Sequence, residues 1–475
     1  MPRSKSVLLG TDPIGPLLAR MAVPAVIAMG VNALYNLVDT IFIGRGVGPL
    51  AIGGVSIAFP IQIIVLAAGL LVGIGSASVV SRSMGAGDQE RAAQTAGNAI
   101  LLTVVIGLVI TAVGLIFADS ILRLFGATED LLPYAREYLT TILPGAVFVT
   151  SAVAANHITR SQGHARVAMV IMLIGAGLNI VLDPIFIFGF DMGVRGAALA
   201  TVLAQFTSFV FAMWFYASGR AAVAPKLRHL RPDWKLMPET LALGLSPFVR
   251  QVGASLFVIF TNNALRMYGT DLSISAFGII HKVLIFSLLP LVGISQGFQP
   301  IAGFNFGARN FERVRQALRT TLLVTTFFAL GWFAVIQIFP GLVFSVFTND
   351  AQLIDIGRGA LRIVMIAMPI LSLQIVGAIF FQAVGRALPA LVLATSRQII
   401  FLIPLVLILP GFFGITGVWA AFPTADALSV GITGAWLVAE MRRLRRLECA
   451  ERPAQNGCVD VQEELQSSTA PDTVV

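Results

Sequence analysis

The chain is predicted to be an all-α polytopic membrane protein. Twelve transmembrane helices would form two six-helix lobes, related by a pseudo-two-fold axis along the membrane normal. Three observations predict this: the composition, the count of apolar stretches, and an internal repeat. Hydrophobic residues make up 57% of the chain and charged ones 12%, with a mean hydropathy of +0.87. Soluble domains average about 25% charged residues, so a globular core does not account for the sequence. The formal net charge of +8 is read by position along the chain rather than as a nucleic-acid footprint, because membrane loops sort Lys and Arg by side.

The elements follow in order. Residues 1–13 are basic but lack a short apolar core followed by a small-residue cleavage site, so no cleaved signal peptide is expected. A crossing takes about 20 mostly apolar residues. With Gly, Pro and charge clusters as breaks, a first lobe over 14–217 holds spans near 14–43, 51–80, 92–118, 132–160, 166–190 and 194–217. A polar connector covers 218–238. A second lobe over 239–440 holds spans near 239–267, 273–303, 313–339, 356–385, 388–410 and 415–440. The tail over 441–475 is polar, and its last twenty residues have a disordered composition. It contains the only cysteines, Cys449 and Cys458, so neither a disulfide nor a thiolate metal site is expected.

Charge sorting orients the spans. With the N-terminus in the cytoplasm, 22 of the 32 Lys and Arg residues fall on the cytoplasmic side and 7 on the other. Arg250, Lys282 and Arg397 remain inside predicted spans. The excess places both termini in the cytoplasm; the expected location is a plasma (inner) membrane.

The repeat pairs "MGAGDQERA" (84–92) with "FGARNFERV" (306–314), and Gly163 with Gly385, at an offset of 222. "GVRGAALA" (193–200) matches "GITGVWAA" (414–421) at 221. Each half has an even number of spans, so both enter the membrane from the same side. Two such bundles facing each other suit rocking about a central site, the logic of alternating access.

An aspartate inside the first span, in "YNLVDTIFIG" (35–44), is the most informative polar residue. Ionised carboxylates are costly in the bilayer and mark functional sites by default. Asp39 lies about 25 residues into the first span and Asp183 about 17 into the fifth; both spans ascend, so both carboxylates fall in the outer half. Two carboxylates sharing a poor solvent would hold and release a proton, or be neutralised by a hard alkali cation. Asn179 is one helical turn before Asp183, and Tyr35 and Asn36 are one turn before Asp39. Thr201, about 7 residues into the descending sixth span, reaches the same level. Structural alternatives stand beside these readings: interfacial hydration for Asp39, and capping of backbone freed by Pro184 for Asp183. Pro24 removes one hydrogen bond from the first helix and can hinge it or merely kink it.

Several motifs read together, "YNLVDTIFIGRGVG", "LAIGGVS", "MGAGDQERA", "LNIVLDPIFIFG", "GVRGAALAT" and "QGFQPIAGFNFGARN", resemble the multidrug and toxin extrusion (MATE) family over roughly residues 14–440. The resemblance implies a twelve-helix, two-lobe antiporter that exports organic compounds against a proton or sodium gradient. It implies an ion-coupling cluster of Asp39, Asp183, Asn179, Thr201, Tyr35 and Asn156. Of these, Asp39, Asp183, Asn179 and Thr201 would be the Na⁺ ligands if the ion is sodium. Our depth reading puts Asn156 nearer the cytoplasm than the others. The family also makes Pro24 the hinge of the first helix. A branch of the family that uses a glutamate in its seventh helix is not matched, since "LSPFVRQVGASLFVIFTNN" contains none.

In the second half, Arg397 and Asp426 reach similar depths in neighbouring spans and are predicted to form a structural charge pair. His157, His164, His229 and His281 lack metal-ligand spacing. The "GAG" at 85–87 lacks the Gly-Lys-Ser/Thr of a phosphate loop, and no nucleophile–base arrangement indicates an enzyme. The expected partners are small amphipathic organic molecules, often cationic, and membrane lipid. No cofactor beyond the coupling ion, H⁺ or Na⁺, and no nucleic acid is expected, and the protein is expected to be a monomer. The rival function is a flippase for lipid-linked precursors or polysaccharide, with Arg250, Lys282 and Arg397 holding a pyrophosphate. Two carboxylates in the first lobe, and twelve rather than fourteen spans, speak against it.

Overall fold

The computed structural model describes residues 5–451, and among these the regular structure is entirely helical. A short helix, Lys5–Thr11, precedes α1 (Ile14–Gly46), α2 (Pro49–Gly85) and α3 (Gln89–Ile116). The rest of the first lobe is α4 (Leu132–Ser161), α5 (Ala165–Gly189) and α6 (Gly193–Ala217). The second lobe contains α7 (Met237–Tyr268), α8 (Asp271–Gly307) and α9 (Phe311–Ile338), then α10, α11 (Ala387–Ile408) and α12 (Pro410–Glu451). α10 is a pair, Ala351–Val364 and Met368–Ala383, bent by 52°. Pro369 opens its second segment and has no N–H to carry the helix across the break. With this pair as one crossing, twelve helices among the described residues are long and apolar enough to span a membrane. The disordered tail expected from the sequence lies outside the described residues, while α12 stays helical through Glu451. Cys449 is disulfide-bonded, contrary to the sequence expectation; Cys458 lies outside the described residues.

The repeat is present in local structure. α2 and α8 end, and α3 and α9 begin, 222 residues apart. Asp88 caps α3 by accepting from the Arg91 N–H at 2.9 Å, and Asn310 caps α9 by accepting from the Arg313 N–H at 3.3 Å. A short polar side chain at this position satisfies a donor that the first helical turn leaves unpaired. The turns into α5 and α11 each use a glycine in the left-handed region, Gly163 at φ +85° and Gly385 at φ +81°, where an L side chain is disfavoured.

The lobes meet along a seam toward the face that carries the N-terminus. Here helices approach backbone to backbone because glycine leaves no side chain between them. An added Cβ at Gly244 of α7 would lie 1.6 Å from the Leu71 carbonyl oxygen of α2, and one at Gly75 would lie 2.0 Å from that of Thr240. Gly85 and Gly307 are as tightly placed against Phe304 and Arg82. Glu239 of α7 accepts from Arg82 at 2.8 Å and from Arg91 at 2.6 Å, tying α2 and α3 to the second lobe. Gln382 of α10 donates to Ser246, and its carbonyl accepts from Ser78 at 2.5 Å.

One helix belongs to both lobes. Leu17, Leu18, Met21 and Ala22 of α1 are buried in the core of the second lobe. Gly297 of α8 packs directly against Ala22, and Gly293 against Val26. Beyond Pro24, α1 continues as a helix and packs with α5 in the first lobe.

Candidate functional site: a carboxylate pair in the first lobe

The outer half of α1 and the end of α5 bring Asp39 and Asp183 within hydrogen-bonding reach of each other. Asp183 is fully buried. It precedes Pro184, where α5 widens into a π-helical turn over Ile185–Gly189, a distortion common at functional sites. The Asp183 carboxylate does not cap the backbone there. It accepts from the Asn179 amide at 3.1 Å, one turn back on the same face. The same amide donates to Thr201 Oγ1 of α6 at 3.1 Å, and that hydroxyl donates to the Ala197 carbonyl at 3.1 Å. Tyr35, one turn before Asp39, is close enough to interact with both carboxylates. Three oxygens in this cluster, Asp39 Oδ1, Asn179 Oδ1 and Asp183 Oδ2, are enclosed and have no hydrogen-bond partner among the described residues. Enclosed lone pairs without donors are costly, and their number here suits a proton or a hard cation.

Two contributors were not found by sequence reasoning. Tyr138 of α4 is buried beside Asp39, Tyr35 and Asp183, and its hydroxyl accepts from the Gln62 amide of α2 at 2.7 Å. Both are uncharged, and no pattern in the sequence marks them apart from their neighbours.

Asn156 is not brought to this cluster. Its amide donates to the Ala168 carbonyl at 2.5 Å, and its oxygen accepts from Arg160 at 2.5 Å. Arg160, in the last turn of α4, is buried and also donates to Gln296 of α8 in the other lobe. The repeat held a signal for it: the equivalent position is Gln382, which also reaches across the seam.

In the second lobe the structure brings Arg397 and Asp426 together, Nε to Oδ1 at 2.6 Å, with side chains 15% and 3% exposed. Arg397 sits in a π-helical turn, Ser396–Leu402. Among the described residues, no carboxylate lies within ion-pair distance of Arg250 or Lys282. Removing one member of a buried ion pair costs about 3–5 kcal/mol, because the other charge is left unmatched. Asp426→Ala is therefore expected to lower the melting temperature and membrane abundance. Adding Arg397→Ala is expected to recover part of the loss, as read by thermal unfolding in detergent. Additive losses in the double variant would show that the pair does not act as a unit.

Known proteins place this architecture. The MatE family model matches residues 24–185 and 249–408, one match in each lobe. The chain is 26% identical over 418 residues to the multidrug export protein MepA of Staphylococcus aureus (strain MRSA252), covering 88% of this chain and 92% of that one. A crystal structure of MATE in the bent conformation superposes with a TM-score of 0.88 at 27% identity, covering 94% of this chain and 99% of the other. A transporter of the MOP superfamily from Pyrococcus furiosus Vc1 (DSM3638), described as having a binding pocket of reverse polarity, superposes with a TM-score of 0.87 at 27% identity, covering 94% and 100%. With both lobes matched by the family model, the chain belongs to the MatE family of membrane transporters and is not an enzyme.

Proposed function

We propose that the protein is a proton- or sodium-coupled antiporter that exports amphipathic, often cationic, organic compounds by alternating access. It would work as a monomer in the plasma membrane, with both termini cytoplasmic. The observation that carries this reading is the carboxylate pair, mounted on a helix whose other half is anchored in the opposite lobe. Asp39, Asp183, Asn179 and Thr201 supply the oxygens for the coupling ion, whether a proton or Na⁺. Tyr35 lines the same cluster. Two carboxylates in a low-dielectric surround repel unless a proton or cation lies between them. Loading and release of the ion therefore changes the force between α1 and α5. Pro24 lies between the anchored and the ion-bearing halves of α1, where the absent N–H makes bending least costly.

A multidrug export relative supports the substrate class. Arg250 and Lys282, without an ion-pair partner among the described residues, favour a second reading, an anionic lipid-linked cargo, against which the carboxylate pair speaks. Dye efflux from membrane vesicles under separately imposed proton and sodium gradients tests the proposal. One of the two gradients is expected to drive export by itself. Export that ignores both would overturn it.

A further inference from the structure

The face that α8 turns to the first lobe continues beyond the seam. An added Cβ at Gly297 would lie 2.7 Å from Ala22 of α1, and one at Gly293 would lie 2.6 Å from Val26. Phe286 and Lys282 stand 7 and 11 residues before Gly293, so at about 3.6 residues per turn they share that face. Pro290 lies between, but α8 is continuous there. The two glycines are buried, whereas Phe286 is 51% exposed and Lys282 is exposed. The face therefore runs from the closed seam into the opening where α1 leaves for the first lobe. α7 behaves in the same way. Thr240 and Gly244 meet α2, and Gln251, Ser255 and Asn262 follow Gly244 by 7, 11 and 18 residues, on the same side and half-buried. The rings of Phe257 and His281 have centroids 5.6 Å apart, which sets Ser255 of α7 and Lys282 of α8 at one level. Among the described residues, none of Gln251, Ser255, Asn262 and Lys282 has a side-chain hydrogen bond or an ion pair.

We propose that Lys282 anchors the cargo on the second-lobe wall, and that the cargo carries a carboxylate beside its cationic group. This rests on the antiport reading above and narrows its substrate class to zwitterions with an apolar body. Lys282 is 11 residues inside α8, roughly 16 Å from its start. An ammonium at that depth without a counter-ion is costly and marks a substrate path. A carboxylate on the cargo supplies the missing charge and accepts from the ammonium. Gln251, Ser255 and Asn262 offer hydrogen bonds along the α7 side, and Phe286, one turn from Lys282, offers a ring to the apolar body. One cation matches a singly charged anion better than a pyrophosphate. Arg250 adds no second charge here, since it follows Gly244 by 6 residues and points about a third of a turn away from the cleft face. The cationic group of the cargo then faces the first lobe, whose interior holds the carboxylate pair.

The test uses the full-length protein and two dyes with one ring system. Rhodamine B carries a free carboxylate beside its cationic xanthene, and in rhodamine B ethyl ester that carboxylate is esterified. Binding is read by fluorescence polarisation in a neutral detergent with no gradient, so the result stands whether or not export proves ion-coupled. The wild type is expected to bind rhodamine B more tightly than the ester. Lys282→Gln is expected to weaken rhodamine B binding about tenfold and leave the ester unchanged, while Lys282→Arg keeps the preference. With both native cysteines replaced by serine, Lys282→Cys is expected to react with a polar methanethiosulfonate reagent, and rhodamine B to slow that reaction. Equal weakening of the two dyes by Lys282→Gln, or weakening of neither, would overturn the carboxylate assignment. A thiol at this position that does not react would place the side chain against lipid and overturn the site. Dye export from vesicles that ignores both ion gradients, with the binding preference intact, would instead overturn the antiport reading.

Discussion

Asp39→Asn is expected to leave a folded, membrane-inserted protein whose gradient-driven dye efflux falls to the level of empty vesicles. The amide has nearly the shape of the carboxyl group and is cheaper to insert than a charge, so no loss of abundance should accompany the loss of transport. It cannot give up a proton or carry the charge that binds a cation. It can also donate to Asp183, whose Oδ2 is enclosed and has no partner among the described residues, so the α1–α5 contact is held closed permanently. Asp183→Asn is expected to do the same from the other side, and the double variant to be hardly worse than either single. Non-additivity of this kind is the mark of residues acting as a unit. Wild-type efflux in a well-expressed Asp39→Asn protein would remove the carboxylate pair from the mechanism.

Gly244→Val is expected to abolish export from a different place, by preventing the seam between the lobes from closing. A Cβ at this position would lie 1.6 Å from the Leu71 carbonyl oxygen and 2.6 Å from its carbon. The obstacle is backbone, so no rotamer change relieves it. Gly75, Gly85 and Gly307 hold the same seam at similar spacing, which leaves α2 no direction in which to slip. Ordinary overpacking costs about 1–3 kcal/mol, and each 1.4 kcal/mol shifts a two-state population about tenfold. The arrangement with the seam apart contains no such contact and is expected to dominate, still folded. Ser78, which is buried and donates across the seam to Gln382, gives a reporter. With both native cysteines replaced by serine, Ser78→Cys is expected to resist a polar maleimide in the wild-type background. It should react at least about tenfold faster with Gly244→Val. Equal protection in the two backgrounds would show that the seam closes despite the side chain.

The two expectations differ in how visible they were before the structure. Asp39 and Asp183 stand out in one dimension because a charge in an apolar run is rare and costly. Their common depth follows from counting residues along two ascending helices at 1.5 Å each. The same counting placed Arg397 level with Asp426, and kept Asn156 nearer the opposite face, where it meets Arg160. Gly244 is one of 45 glycines, and nothing local separates it from those that meet only open space.

The sequence by itself determined the helices, their approximate ends, the two-lobe repeat and the polar residues worth attention. Each of these is written in short-range physics: the length of an apolar run, a capping side chain, a glycine at positive φ, a 222-residue echo. The tertiary structure alone decided which helices are neighbours. That choice put Tyr138 and Gln62 beside the carboxylates, joined Arg160 at the end of α4 to Gln296, and sank the first turns of α1 into the second lobe. It also decided which end of the seam is shut. Helix adjacency depends on the summed packing of whole surfaces, and in a chain apolar on nearly every face no local pattern encodes it.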